Sequence, residues 1–266
     1  MSSLIDFKIL EEDLDLKSKS YLNAEPFEHI VLDNFLTSQG LQLLHSNGFH
    51  KGVATTEQSS DFMFAKNKME NPKLEEISEA SCQLRDELLS DRFRDILRKI
   101  VGIDLFLDDS FTGGGLHQGG KGSFLEMHAD FTRHPAKTEW IRELNILLYL
   151  NPEYQEAWGG HLDLEHKDTG ARSSIAPEDN RLVVMLTKPH TLHGYKKITF
   201  PQDRLRTSIA AYAYTLDDGT RNVQYASTTW RPQGLAKRAF SKLWNPLVVL
   251  KQRLLGSRTA NRAKRD

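Results

Sequence analysis

A histidine and an aspartate separated by one residue form the most chemically suggestive short motif in this sequence. His128 and Asp130 lie in SFLEMHADF, a segment whose pattern predicts a β-strand. Because side chains two positions apart on a strand emerge on the same face, the imidazole and the carboxylate would point in nearly parallel directions. The pair would then supply half of a metal-binding site.

A third ligand has to come from another part of the chain. His193, in the later segment HTLHGY, is the best-placed candidate, and His190 is the alternative. Two imidazoles and one carboxylate leave three octahedral positions open, the arrangement that iron(II) oxygenases use to admit a bidentate cosubstrate and dioxygen. A His-x-Asp pair alone is weak evidence, because it is common by chance. The other histidines nearby are expected on the surface, in loops or behind the ligands: His117, His134, His161 and His166.

Such an oxygenase also needs a fixed cation for the distal carboxylate of 2-oxoglutarate, and arginine binds carboxylates bidentately. Arg206 and Ser208 in RLRTSIAAYAY share one face of a predicted strand and could converge on one carboxylate. Small apolar residues follow Arg206, which favours a buried role, whereas Arg204 is expected in a turn or at the surface. In LNILLYLN, Asn145 and Tyr149 share a face; the tyrosine hydroxyl is either a second donor or part of the core.

Composition excludes several other kinds of site. The chain has 266 residues, of which 39% are hydrophobic, and a formal net charge of -1, which offers no general electrostatic attraction for nucleic acid. Cys82 is the only cysteine, so an internal disulfide and thiolate-held clusters are excluded and a reducing compartment is favoured. The acidic N-terminal segment and the lack of a run of about 18 apolar residues lead us to expect a cytoplasmic protein.

Residues 1–102 are predicted to form a helical layer packed on the core. Apolar residues recur at three- and four-residue spacing in LTSQGLQLLHS, LEEISEASCQLRDELLS and DRFRDILRKIVG. Asp91 is the expected N-cap of the last helix and Gly102 its expected stop. The segment EHIVLDNFL predicts a short strand that precedes these helices.

Residues 103–216 are predicted to form a β-rich catalytic core, because short apolar or alternating runs follow one another between turn residues. The loop between Asp130 and Arg142 is expected to line the substrate pocket. Within it, Arg133 and Lys137 either grip an anionic substrate or are solvated. Six glycines crowd the approach to the first core strand and predict a flexible or close-approach loop: Gly113, Gly114, Gly115, Gly119, Gly120 and Gly122.

Residues 217–266 form a basic C-terminal extension. The segment AKRAFSKLWNPLVVLKQRLLG predicts a basic amphipathic helix interrupted at Pro246. Such a helix could contact a membrane surface or an acidic carrier, or it could pack on the core with its charged face in solvent. Neither the composition nor the motifs indicate an oligomeric state.

Five motifs follow one another in a recognisable order: GGxGSFLxxHADF, RxLNxLLYLN, WGGxLxL, HG and RxS. Over about residues 105–215 the chain resembles the 2-oxoglutarate/iron(II) dioxygenases of the prolyl-4-hydroxylase-like branch. The resemblance implies a mainly β fold, the double-stranded β-helix (jelly-roll or cupin-like), with flanking helices. It also implies that His128, Asp130 and His193 bind iron(II) and that Arg206 binds 2-oxoglutarate, helped by Ser208 and Tyr149.

One position departs from the family pattern. Relatives often carry a tyrosine near the metal-bound end of the cosubstrate, where this chain has LHQGGKG, so His117 and Gln118 are the candidates there. Asn145 is a further candidate for cosubstrate binding. Because Asp130 is intact, the resemblance implies hydroxylation of an amino acid, peptide or small metabolite, with dioxygen consumed and succinate and CO2 released. A zinc-type hydrolase with the same three ligands and a catalytically silent binding barrel are the alternatives.

Overall fold

In the part of the chain that the structure describes, five α-helices form a layer over the main hydrophobic core. The computed structural model describes residues 2–52, 57–58 and 63–232, so the predicted basic helix lies outside the described residues. None of the helices in these ranges has the length and apolar character that a membrane crossing requires. The helices are α1 Phe7–Glu11, α2 Leu14–Leu22, α3 Ser38–Ser46, α4 Glu79–Leu88 and α5 Asp91–Val101.

The ends of α5 show how local chemistry sets a helix boundary. Ser90, not Asp91, is the N-cap: the Ser90 hydroxyl accepts a hydrogen bond from the backbone N–H of Phe93. Asp91 is instead the first helical residue, where its charge favours the positive end of the helix dipole. Gly102 ends the helix as predicted, with a φ of 73° that favours glycine. The predicted N-cap was therefore displaced by one residue.

The two N-terminal helices were not predicted, and their composition explains why. Helix α1 has only five residues, which is too short for a helical repeat to be visible. In α2 Tyr21 is the single buried residue, so the sequence carries no apolar stripe.

Twelve strands form one antiparallel sheet, with the main order β1-β9-β6-β11-β5-β10-β7-β8. The strands are β1 His29–Asp33, β2 Glu57–Gln58, β3 Ala65–Asn71, β4 Phe106–Leu107, β5 Gly115–Ala129, β6 Trp140–Tyr149, β7 Leu162–His166, β8 Arg172–Ile175, β9 Arg181–Leu186, β10 Thr191–Tyr195, β11 Arg206–Leu216 and β12 Thr229–Trp230. The non-consecutive neighbours mean that the chain crosses repeatedly within the sheet, as in a jelly roll.

The glycine-rich segment belongs to a strand, which corrects the prediction of a loop. Residues 115–119 pair with β11, and β3 pairs with the same stretch on the other edge of β5. A side chain at Gly115 would bring its Cβ to 2.2 Å from the carbonyl oxygen of Asn71. Glycine therefore allows β3, β5 and β11 to approach one another closely. The strand β3 on the second edge of β5 was not predicted, because the N-terminal sequence shows mainly a helical pattern.

The helical layer orients the site by covering one face of the sheet. Leu144, Ile146 and Leu148 of β6 belong to the main hydrophobic core, to which all five helices also contribute residues. Because alternate residues of a strand point to opposite faces, the residues between them, Asn145 and Leu147, face the interior of the sheet. Burial of the apolar set thus fixes which side chains can reach the interior.

Gly194 sits where β10 approaches β5 most closely. An added Cβ would lie 2.6 Å from the carbonyl oxygen of Leu125. We expect Gly194→Ala to lower the free energy of unfolding by about 1–3 kcal/mol, because the backbone of one strand has to move. Gly120→Ala is the matched control, since its Cβ would meet the side chain of Leu205 at an ordinary 3.5 Å. Urea unfolding of both variants measures the difference; equal stability of the two would contradict this explanation.

Candidate metal and cosubstrate site

Strand pairing brings the three predicted metal ligands together. In the pairing of β5 with β10, His193 lies directly opposite His128, and their ring centroids are 4.3 Å apart. Nε2 of His128 is 3.4 Å from Oδ1 of Asp130, and Nε2 of His193 is 3.6 Å from Oδ2. In the described part of the chain this is the one group of three such residues with ligand atoms within 4.8 Å of one another.

The protonation states suit a divalent cation. The Nδ1–H of His128 donates to the carbonyl oxygen of Glu126 at 2.9 Å, which leaves the lone pair of Nε2 facing Asp130. Burial, with His128 nearby, lowers the pKa of His193 to about 3, so its imidazole is neutral. Burial alone would raise the pKa of Asp130, but Arg142 and the two histidines hold it well below its usual range. Two imidazole nitrogens and one carboxylate fit iron(II).

Arg142 is the functional residue that the sequence prediction missed. Its side chain is 1% exposed, and its Nη2 donates to Oδ2 of Asp130 at 3.1 Å. Nδ2 of Asn145 donates to the same oxygen at 2.8 Å. The guanidinium lies over the rings of Tyr212, at 3.5 Å, and Phe131, at 4.3 Å. Oδ2 of Asp130 is therefore held by two donors, while Oδ1 is left for a metal. Asn145, a predicted cosubstrate-binding residue, lies beside this carboxylate.

Arg206 is a buried cation at the other end of the same cavity. It is 7% exposed, and its Nε donates to the carbonyl oxygen of Gly160 at 2.6 Å. Its Nη2 donates to the hydroxyl of Tyr149 at 3.3 Å, and the guanidinium lies 4.3 Å from the ring centroid of Tyr195. All its polar partners among the described residues are neutral. Because an unpaired buried charge is costly, this geometry calls for an anionic ligand.

The cavity wall between the two ends carries further predicted residues. Tyr149 is 1% exposed, and burial raises its pKa, so its hydroxyl stays protonated. Ser208 lies opposite Tyr149 on β6 and opposite His117 on β5. His128, Arg206 and these three residues all line one cavity. A ligand in it could thus contact the metal centre and the arginine at once.

The structure distinguishes the two candidates for the place of the family's tyrosine. The side-chain amide of Gln118 donates to the carbonyl of Phe49 and lies 3.4 Å from the hydroxyl of Thr207, on the opposite face of β11 from Ser208. Nε2 of His117 and Oε1 of Gln118 are both buried without a hydrogen-bond partner among the described residues, and both residues line the cavity, but only Gln118 has its side-chain nitrogen bonded outside it. Burial and the charge of Lys68 lower the pKa of His117 to about 4, so its imidazole is neutral. His117 is the better candidate for ligand contact.

The remaining candidates lie outside the cluster. His190 packs on His166, with ring centroids 4.8 Å apart, and takes no part in the three-ligand group. Arg133, considered for an anionic substrate, donates twice to the carbonyl of Val223 and pairs with Asp217 at 2.6 Å. Its guanidinium therefore holds the C-terminal segment. Arg204 bonds to the carbonyl of Pro152 and to Glu153, in keeping with its predicted turn position.

An antiparallel jelly roll with two histidines and one aspartate opening into its interior defines the class of non-haem metal oxygenases. Residues 114–214 match the sequence model of the 2OG-Fe(II) oxygenase superfamily. Mouse (Mus musculus) prolyl 3-hydroxylase OGFOD1 is 26% identical over 200 residues, a match that covers 73% of this chain and 34% of the mouse protein. The chain thus spans about a third of the length of this curated relative.

Two solved structures share the fold. A prolyl-4-hydroxylase from Pseudomonas putida has a TM-score of 0.51 and 17% identity, over 76% of this chain and 98% of that chain. A prolyl hydroxylase from Trichoplax adhaerens, in complex with a hypoxia inducible factor peptide fragment, has a TM-score of 0.51 and 18% identity, over 82% and 96%. The double-stranded β-helix prediction is confirmed. The comparisons thus relate residues 114–214 to the 2-oxoglutarate/iron(II) oxygenase superfamily, and the similar proteins are named prolyl hydroxylases.

The pairing of Arg142 with Asp130 predicts a specific stability defect. In metal-free protein, Arg142→Met should lower the free energy of unfolding by about 3–5 kcal/mol at pH 7, because a buried carboxylate loses its cation. The depressed pKa of Asp130 contributes stability above its unfolded value of about 3.9, and that stability is lost as the pH falls through the folded pKa. Without the guanidinium, burial raises the pKa of Asp130 in Arg142→Met above the unfolded value, so the variant regains stability as its carboxyl takes up a proton between pH 7 and pH 4. The wild-type contribution is nearly unchanged over that range, and the difference between the two proteins should therefore shrink from pH 7 to pH 4.

The double variant Asp130→Asn/Arg142→Met is the control for this prediction. Because it removes both charges, it should recover part of the stability lost in Arg142→Met. Chemical denaturation of the wild type, Asp130→Asn, Arg142→Met and the double variant gives the free energies of unfolding for a double-mutant cycle. A defect in Arg142→Met that is independent of pH and unrelieved in the double variant would show that the ion pair is not its cause.

Proposed function

We propose that this chain is a 2-oxoglutarate- and iron(II)-dependent dioxygenase that hydroxylates an unactivated C–H bond and releases succinate and CO2. The single observation that carries the proposal is the buried guanidinium of Arg206, which faces neutral partners in the same cavity as the His-Asp-His cluster. A dicarboxylate that chelates a metal with one end and ion-pairs with the other fits this cavity. The match of residues 114–214 to the oxygenase superfamily supports the same reading.

Each residue has a defined role in this proposal. His128, Asp130 and His193 would hold iron(II), which supplies the activation of dioxygen. Arg206 binds the distal carboxylate of 2-oxoglutarate, with Tyr149 and Ser208 as neutral hydrogen-bonding groups beside it. Asn145 and Arg142 hold Asp130 through Oδ2, so that the carboxylate presents one oxygen and leaves coordination positions for the cosubstrate and dioxygen.

The charge balance of the cavity argues against the two alternatives. A hydrolase with the same three ligands needs a metal and water and has no use for a buried arginine without an anion. A silent binding barrel has no need to keep Asp130 ionised inside the protein at the cost of a buried arginine. Both features are explained together by a ligand that bridges metal and guanidinium.

For the substrate we propose a peptidyl or free amino acid, with proline the first residue to test. The support is that the similar mouse, Pseudomonas and Trichoplax proteins are named prolyl hydroxylases. We further propose a cytoplasmic location, and for the basic extension contact with a membrane surface or an acidic carrier, both from the composition of the chain.

Arg206→Met should raise the 2-oxoglutarate concentration needed for half-maximal succinate formation. Loss of one charge-assisted bidentate contact costs about 1.5–3 kcal/mol, or roughly a 10- to 150-fold higher requirement. Arg204→Met is the matched control, because Arg204 bonds to a turn carbonyl and Glu153 outside the cavity. An unchanged requirement in Arg206→Met, or an equal rise in both variants, would refute the anchor assignment.

The reaction class can be tested without knowing the substrate. Anaerobic addition of iron(II) and then 2-oxoglutarate to the wild-type protein should produce a visible charge-transfer absorption band, which His128→Ala should abolish. Aerobic turnover of 2-oxoglutarate to succinate is then followed across proline-containing peptides, free amino acids and acidic metabolites, and the substrate is the compound that accelerates it. Activity that persists with zinc and without 2-oxoglutarate would instead support a hydrolase.

A further inference from the structure

The segment Asp217–Arg231, here called the C-terminal strap, follows the region that the superfamily model accounts for, which ends at residue 214. It leaves β11 and returns along the outside of the metal-binding strand. β12, at the end of the strap, pairs antiparallel with β5: Thr229 lies opposite Ala129 and Trp230 opposite His128. The backbone N–H of Arg231 donates to the carbonyl of Met127 at 2.8 Å.

The strap also holds the chain on the other side of Asp130. The backbone N–H of Thr132 donates to the carbonyl of Ala226 at 3.1 Å. The Thr132 hydroxyl donates to the carbonyl of Gln224 at 2.7 Å and accepts from the N–H of Ala226 at 2.9 Å. The contacts of Arg133 with Val223 and Asp217 extend the same edge. Both the His128 end and the far side of Asp130 are therefore fastened to the strap.

Trp230 adds a side-chain contact to this backbone pairing. Residues directly opposite in an antiparallel pair share a face, so Trp230 and His193 flank His128 from the two edges of β5. The ring centroids of Trp230 and His128 are 4.9 Å apart, at an interplanar angle of 32°. Trp230 also stacks on the fully buried Phe64, with centroids 5.2 Å apart at 24°.

The contact with Trp230 limits the rotation of the His128 side chain away from the other two ligands. The hydrogen bond from Nδ1 to Glu126 sets the direction of the ring but does not by itself prevent it from swinging out of the ligand cluster. The indole, which also stacks on Phe64, lies against the imidazole from the edge of β5 opposite His193 and so limits movement toward that edge. An aromatic wall of this kind orients a metal-binding imidazole in the way that outer hydrogen-bond partners do.

We infer that the C-terminal strap is an integral part of the metal centre and that Trp230 is the positioning residue that holds His128 in its metal-binding orientation. The inference rests on the proposed function, since it assumes that the His-Asp-His cluster binds a divalent metal. The core region that defines the superfamily is thus incomplete as a metal site in this chain without residues that follow it.

The test compares cobalt(II) binding by the full chain and its variants under anaerobic conditions. Trp230→Leu, which keeps an apolar side chain but removes the ring, should weaken cobalt(II) binding by about 10- to 100-fold. Trp230→Phe should restore affinity to near the wild-type value, because it keeps an aromatic face. Trp140→Phe is the control: Trp140 packs on Phe106 and Tyr214, away from the ligands.

A second variant loosens the strap without altering the ring contact. Thr132→Val removes the hydroxyl that joins the ligand segment to Gln224 and Ala226, and it should weaken cobalt(II) binding by a smaller factor. The visible absorption spectrum of bound cobalt(II) is recorded in parallel, because it reports the geometry of the ligands. It should change in Trp230→Leu and be restored in Trp230→Phe.

The outcomes separate this inference from the proposed function. Absence of cobalt(II) and iron(II) binding by the wild-type protein would refute the proposed metal centre itself. Wild-type affinity and an unchanged spectrum in Trp230→Leu would overturn only the role of Trp230. Equal losses of affinity in all three tryptophan variants, in proportion to lost thermal stability, would also overturn it, since they would reveal general packing. Should Trp230→Leu fail to fold, Thr132→Val decides: wild-type affinity and an unchanged cobalt(II) spectrum in that variant would overturn the inference that the strap is part of the metal centre.

Discussion

The site depends on the antiparallel pairing of β5 with β10, which sets two imidazoles opposite each other. The approach is possible because Gly194 follows His193, and any side chain there would collide with the backbone of β5. Asp130 directly follows the last residue of β5, and the alternation that continues from His128 places its carboxylate beside the two imidazoles. The metal centre therefore depends on the register of β5 with β10, with Asp130 placed one residue beyond the end of β5.

Electrostatics divides the cavity into two unlike ends. At one end Asp130 is negative and already balanced by Arg142, so that a bound divalent metal would make this end positive. At the other end Arg206 is positive with neutral neighbours. A ligand with negative groups at both ends satisfies both regions, whereas a monoanion would leave one of them uncompensated. The same arrangement explains why Asp130, Arg142 and Arg206 can be buried close to one another.

Period-two alternation predicted the ligands and the arginine because those residues lie on regular strands whose apolar faces are plain in the sequence. Arg142 escaped the same reasoning because it stands three positions before Asn145, on the opposite face of a regular strand. A register shift between β6 and β11 at this point, where Leu144 lies opposite Ala213 and Arg142 opposite Tyr214, brings both side chains to Asp130. Bulges carry no clear signal in a single sequence.

Long-range pairing accounts for the other differences. β3 lies in a region whose helical periodicity dominates, and its partner in β5 is a glycine-rich stretch that by itself indicates a loop. The C-terminal strap has no apolar repeat, because backbone hydrogen bonds and single side chains such as Trp230 hold it. In both cases the partner strand, and not local propensity, determines the structure, so only the assembled sheet discloses it.

The route of the strap has a thermodynamic consequence for the basic extension. Trp230 lies within the basic extension and contacts His128, so the part of the extension that follows the strap is joined to the protein beside the metal ligands. A partner that binds the extension and moves β12 relative to β5 would change the affinity of the site for metal by some factor. By thermodynamic reciprocity, metal binding would then change the affinity for that partner by the same factor. The loaded and unloaded forms of the protein would then differ in what they associate with, without any rearrangement of the helical layer.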